Sequence, residues 1–167
     1  MFSNAVKIFS ISGFDIKIDP SWLIIFALIS WSLSQHYFPT ALPGETGAVY
    51  VSMAITATIL FFASLLLHEL AHSVVARRYG LPIGGITLFL FGGVAEMESE
   101  PRSPEVEFLV AIAGPIMSMA LSVSFLFLSW IAAFVGEMTI VASIFSYLAT
   151  INLVLAIFKE RLKNLAC

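Results

Sequence analysis

Leu65-Leu-Leu-His-Glu-Leu-Ala-His-Ser-Val-Val-Ala-Arg-Arg78 is the stretch on which the reading of this chain turns. On a helix, His68 and His72 lie one turn apart, so both imidazoles leave the same face and converge on one point. Glu69 falls beside them, where it can reach a water held at that point. Two histidines at this spacing with a glutamate after the first form the zinc metallopeptidase pattern: two nitrogen ligands and a general base. The structural alternative is a pair of histidines making polar contacts between packed helices. The run from Val49 to Leu67 that leads into the motif carries no charged residue. Ionisable groups are expensive at membrane depth and mark a functional site there.

The rest of the chain agrees with a membrane setting. Of its 167 residues, 59% are hydrophobic and 11% charged, and the mean hydropathy is +0.98. Soluble domains carry about 25% charged residues, so an integral membrane protein is expected. A net charge of −3 with no basic cluster argues against nucleic acid as a partner. The one cysteine, Cys167, cannot form an internal disulfide. Asp15 and Asp19 precede the first apolar run, which therefore does not read as a signal peptide. Four uncharged runs approach the roughly 20 residues a spanning helix needs: Trp22 to about Leu33, Val49 to Leu67, Phe108 to about Ala133, and Met138 to Phe158. No internal repeat accompanies them, and four spans leave little room for a pore, which disfavours a transporter or channel.

With four spans the basic residues sort to one side. Lys7 and Lys17 precede the first; Arg77, Arg78 and Arg102 lie between the second and third; Lys159, Arg161 and Lys163 follow the fourth. The positive-inside rule makes that side, and both termini, cytoplasmic, in an inner or plasma membrane. His68 precedes Arg77 by nine residues, about 13 Å along a helix. That depth puts the motif in the inner leaflet, with a cavity open to the cytoplasm.

Between the second and third spans, Gly84-Gly85 and Gly92-Gly93 bracket a β-prone run, Ile86 to Phe91. It is expected to be a re-entrant strand or hairpin covered by helices, since open backbone is not tolerated against lipid. An exposed edge there could pair with an unwound substrate by strand addition; an apolar loop packed on the bundle is the alternative. Glu96, Glu98, Glu100, Glu105 and Glu107 read as a solvated acidic surface.

Several elements recur in one order: His68 to His72 followed by Ser73 to Gly80, then Phe91-Gly-Gly-Val-Ala-Glu-Met97, Ala113-Gly-Pro115, and Asn152-Leu-Val-Leu-Ala-Ile-Phe158. With Ile18-Asp-Pro-Ser-Trp22 at the start, this order resembles the site-2 protease family of intramembrane zinc metalloproteases, over about residues 12 to 158. The resemblance implies one zinc ion held by His68 and His72, catalysis by Glu69, and substrates that are membrane-spanning or membrane-bound peptides. It also implies that Asn152 helps hold the substrate strand or the active site, with an interhelical hydrogen bond as the alternative; Gly92 and Gly93, at the β-prone run, are further substrate-binding candidates. Gly114 and Pro115 match positions of close helix packing. Residues 1–158 then form the membrane core, and 159–167 a charged tail outside the family pattern.

The resemblance departs at the third zinc ligand, which in the family is an aspartate in a Leu-Asp-Gly element after the asparagine. After Phe158 this chain reads Lys-Glu-Arg-Leu-Lys-Asn-Leu-Ala-Cys167. Three explanations stay open. The chain is truncated or frame-shifted; its tail folds back so that Cys167, the terminal carboxylate or Glu160 completes the site; or Glu96, Asp19 or a partner chain supplies the oxygen. With two ligands alone, zinc is held weakly. The alternative to an active endopeptidase is therefore an inactive homologue that binds or regulates a membrane partner, or a fragment without function. The expected fold is all-α and membrane-spanning, with about four helices and a short β element between the second and third.

Overall fold

A computed structural model describes residues 5–11, 13–89, 92–97, 103–135 and 139–163, without the side chains of 92–97 and 158–163. Its elements follow in the order β1 (Val6–Ile11), β2 (Phe14–Ile18), α1 (Trp22–Ser32), a π-helical segment (Leu33–Tyr37), α2 (Phe38–Ala41), α3 (Gly47–Arg78), β3 (Ile83–Phe89), β4 (Gly92–Met97), α4 (Pro104–Phe134) and α5 (Thr139–Lys163). Among the described residues α3, α4 and α5 are each long and apolar enough to cross a membrane. The fourth expected crossing, Trp22 to Leu33, is also helical. It continues as far as Ala41 but switches from α to π and back. Pro39 explains the switch: it has no N–H for the carbonyl one turn earlier, and its ring crowds that turn.

Local chemistry sets the ends of the long helices. The Thr46 side chain accepts the N–H of Val49 at 3.4 Å and starts α3. At the other end Gly80 adopts φ +76, Gly80 N–H donates to the Arg77 carbonyl and Leu81 N–H to that of Ala76, closing the helix in the left-handed turn that glycine tolerates. Ser103 caps α4 by accepting from Val106 N–H at 3.4 Å, with Pro104 at the first helical position.

Apolar area gives little drive for helices to associate inside lipid, so small residues and polar contacts hold the bundle together. Ser122 donates to the carbonyl of Ala149 at 2.7 Å and Ser129 to that of Ala142 at 2.9 Å, joining α4 to α5. Ser30 donates to Thr58 at 3.0 Å and ties α1 to α3. One core cluster, Leu33, Phe38, Met53, Ala54, Ala57, Ile144 and Leu148, fills the bundle near the π segment. A second, Ala76, Leu81 and Val110, lies near the C-terminal end of α3.

The β element between α3 and α4 is larger than the sequence suggested. It is the β3–β4 half of a four-stranded sheet ordered β1-β2-β3-β4, in which β2 and β3 run parallel and the outer pairs antiparallel. β3 begins at Ile83 and includes both Gly84 and Gly85 rather than starting after them. The glycine at 85 is required by register: a Cβ there would lie 2.7 Å from the backbone oxygen of Asp15, its partner on β2. Phe14 and Ile16 of β2 are buried, and the Arg77 guanidinium lies 3.9 Å above the Phe14 ring, which fastens the sheet to the end of α3. On the exposed side Lys7 Nζ lies 2.7 Å from Asp15, and Ser10 donates to the same carboxylate. The Lys7 contact first, then the Ser10 hydroxyl, holds the Asp15 carboxyl below its ordinary value.

A parallel β2–β3 pair needs a crossover, and here that crossover is the whole of α1, α2 and α3. The segment before α1 and the segment after α3 therefore lie at one end of the bundle. Gly85→Ala is expected to break the β2–β3 register and to destabilise the fold by about 1–3 kcal/mol, measured as a lower thermal midpoint in detergent.

Candidate metal centre

His68, Glu69 and His72 occupy the last third of α3, on the stretch that packs against α4. His68 is fully buried at 0% exposure and Glu69 nearly so at 4%; His72 is half-buried. The two imidazoles converge as the helical spacing predicts. Their ring centroids are 4.8 Å apart and their Nε2 atoms 3.1 Å apart. Two nitrogens bound tetrahedrally to one zinc at about 2.0–2.1 Å would lie about 3.3 Å from each other. The observed separation fits that chord.

Each ring is held from behind by α4. His72 Nδ1 lies 2.6 Å from the backbone carbonyl of Val110. A carbonyl only accepts, so Nδ1 carries the proton and the His72 Nε2 lone pair is directed toward the convergence point. His68 Nδ1 lies 2.7 Å from Ser118 Oγ, which is itself fully buried. When that hydroxyl accepts, His68 likewise turns an unprotonated Nε2 toward the same point. Outer partners of this kind fix the tautomer and orientation of metal-binding histidines. Pro115 has no N–H for the carbonyl of Ala111, and the turn it loosens is the one whose neighbouring carbonyl, Val110, reaches His72.

Gly114 makes the arrangement possible. A Cβ at this position would overlap Nε2 of both His68 and His72. The residue expected to serve helix packing thus also provides the space in which the rings meet. The sequence reading missed Ser118 and the Val110 carbonyl. The signal was a stripe at intervals of four, Val110, Gly114, Ser118 and Ser122, all buried on one face of α4. A backbone carbonyl carries no side-chain signature, so Val110 could be found only in the fold.

The remaining candidates lie as follows. Asn152 on α5 is fully buried; its Nδ2 donates to the Leu148 carbonyl at 2.8 Å, within its own helix. Its Oδ1 is buried with no partner among the described residues. Gly92 and Gly93 open β4, opposite Phe89 and Leu88. Asp19 accepts the Ser21 N–H at 2.9 Å beside the start of α1. Among the described residues no group of three His, Cys, Asp or Glu side chains is placed to hold a metal. The side chains of Glu96 and Glu160, and Cys167, fall outside the described residues.

A paired-imidazole face buried in a membrane helix, with an adjacent carboxylate, defines the class of a membrane-embedded metallopeptidase. The sequence pattern of peptidase family M50 matches residues 56–166. This chain belongs to that family, the site-2 proteases. Rip3 of Mycobacterium tuberculosis, which carries the name of a zinc metalloprotease, is 41% identical over 159 residues, covering 93% of this chain and 39% of Rip3. The similarly named sll0528 of Synechocystis is 36% identical, covering 93% of this chain and 40% of its own. The structure of the site-2 protease from Methanocaldococcus jannaschii superposes with a TM-score of 0.58 at 27% identity, over 91% of this chain and 62% of that one. The chain thus spans about two fifths of the curated relatives' length, and it is a membrane protein.

Gly114→Ala is expected to drive the rings apart and abolish zinc uptake while leaving helical content unchanged, read by metal analysis and circular dichroism. Ser118→Ala should weaken zinc about 10–100-fold, measured by competition with a chelator.

Proposed function

We propose that this chain forms the zinc-binding, membrane-embedded core of a site-2-type endopeptidase that cleaves membrane-spanning or membrane-bound peptides. The observation that carries this reading is the pair of Nε2 atoms 3.1 Å apart over Gly114, each ring held from α4. Zinc, when bound, supplies Lewis acidity, lowering the pKa of a water and polarising the scissile carbonyl. His68 and His72 stay neutral, their Nε2 lone pairs directed at the metal and their Nδ1 protons at Ser118 and Val110. Glu69 takes the proton from the attacking water and delivers it to the leaving amine nitrogen. Burial of Glu69 keeps bulk water from competing for that proton.

A third ligand is needed, and among the described residues no third His, Cys, Asp or Glu side chain joins the pair. Orientation follows from charge: Lys7, Lys17, Arg77 and Arg78 belong to segments at one end of the bundle, which is assigned to the cytoplasm along with both termini. The second reading is a core that captures a membrane partner without cutting it.

Purified chain should carry close to one zinc per molecule, and His68→Ala should remove it. With a membrane-spanning reporter peptide, Glu69→Gln should abolish cleavage, a loss of at least about 100-fold, and leave zinc in place. Reporter capture without cleavage, unchanged in Glu69→Gln, would replace the peptidase reading with the capture reading.

A further inference from the structure

On the outer side of the α3–α4 pair runs a groove of about 660 Å³. Leu67 and Val74 line it from α3 and Ile112 and Ala120 from α4, with Arg78 and Tyr79 at one end. Its walls are almost wholly apolar. From Leu67 to Arg78 along α3 is about 16 Å, close to half of the ~30 Å hydrocarbon core. The groove is one leaflet deep. Acyl chains match it.

Charge selects the rest of the occupant. Arg77 and Arg78 are neighbours in sequence but diverge around the helix. Arg77 is committed to the Phe14 ring. Arg78 is exposed at the mouth of the groove, and no carboxylate among the described residues lies within ion-pair distance of it. A guanidinium presents parallel N–H donors that match a phosphate better than any other group at a membrane interface. Tyr79, 47% exposed beside it, adds a hydroxyl at headgroup level on an apolar ring.

We propose that this groove is a phospholipid site: acyl chain along α3 and α4, phosphate on Arg78, with preference for an anionic headgroup. The site is separate from the imidazole face, which turns toward α4 and Gly114, and it stands whether or not the chain cleaves peptides. The lipid covers apolar lining that neither helix covers.

The test uses the full chain, delipidated in a non-ionic detergent and titrated with phosphatidylglycerol or phosphatidylcholine under native mass spectrometry. One phosphatidylglycerol should bind, about fivefold more tightly than phosphatidylcholine. Arg78→Gln should reduce that preference to within about twofold. Val74→Trp adds bulk at an exposed lining position without touching the core, and should abolish binding of both lipids with helical content unchanged. A headgroup preference that survives Val74→Trp would overturn the proposal, because it would reflect general attraction to basic surface. A dimer that Val74→Trp splits into monomers, with lipid binding unaffected, would overturn it in favour of a second copy in the groove.

Discussion

Two imidazoles and a carboxylate cannot sit inside an apolar helix bundle unless something answers them. The cost of desolvating such groups at membrane depth is the constraint on which this architecture rests. α3 carries the groups, and α4 supplies the answer: a hydroxyl for His68, a carbonyl for His72, and at Gly114 an absence of side chain where the two rings meet. Removing any of these leaves a polar group stranded or a ring displaced. The α3–α4 contact is therefore both the packing interface and the frame of the candidate metal centre.

The sheet plays a supporting part at one end of the same helix. Its parallel β2–β3 pair joins the residues before α1 to those after α3, so two strands laid down on opposite sides of a hairpin of helices become neighbours. Arg77 fastens it by stacking on Phe14, five residues past His72 on the same helix. Sheet, helix end and the paired-histidine face thus all meet on α3.

Membership of the M50 family accounts for why these features occur together, and the chain's share of its relatives defines what it contributes. It spans about two fifths of Rip3 and of sll0528, and that share includes the histidine helix and the helix that orients it. A tetrahedral zinc with two imidazoles still requires a third protein ligand for firm binding. The described part of the candidate site is two imidazoles whose Nε2 atoms lie 3.1 Å apart, each ring held from behind by α4. Such preorganisation lowers the cost of assembling the rest, because ligand orientation is already settled.

Much of this was legible in the amino-acid order. Long uncharged runs announce membrane helices, because a bilayer tolerates little else. The interval of four between His68 and His72 brings both rings to one side, because a helix turns once in 3.6 residues. The alternation Phe14-Asp-Ile-Lys-Ile18 after Gly13 is the trace of β2, but five residues beside a membrane helix are too short a run to specify a strand by pattern alone. Other features belonged to the tertiary structure alone. Which carbonyl meets His72, that Ser118 meets His68, that Gly114 must have no Cβ, and that β2 pairs with β3 across three helices are all decided by contacts between distant segments. Periodicity describes how one segment presents its faces; it carries no record of which face of another segment will be pressed against it.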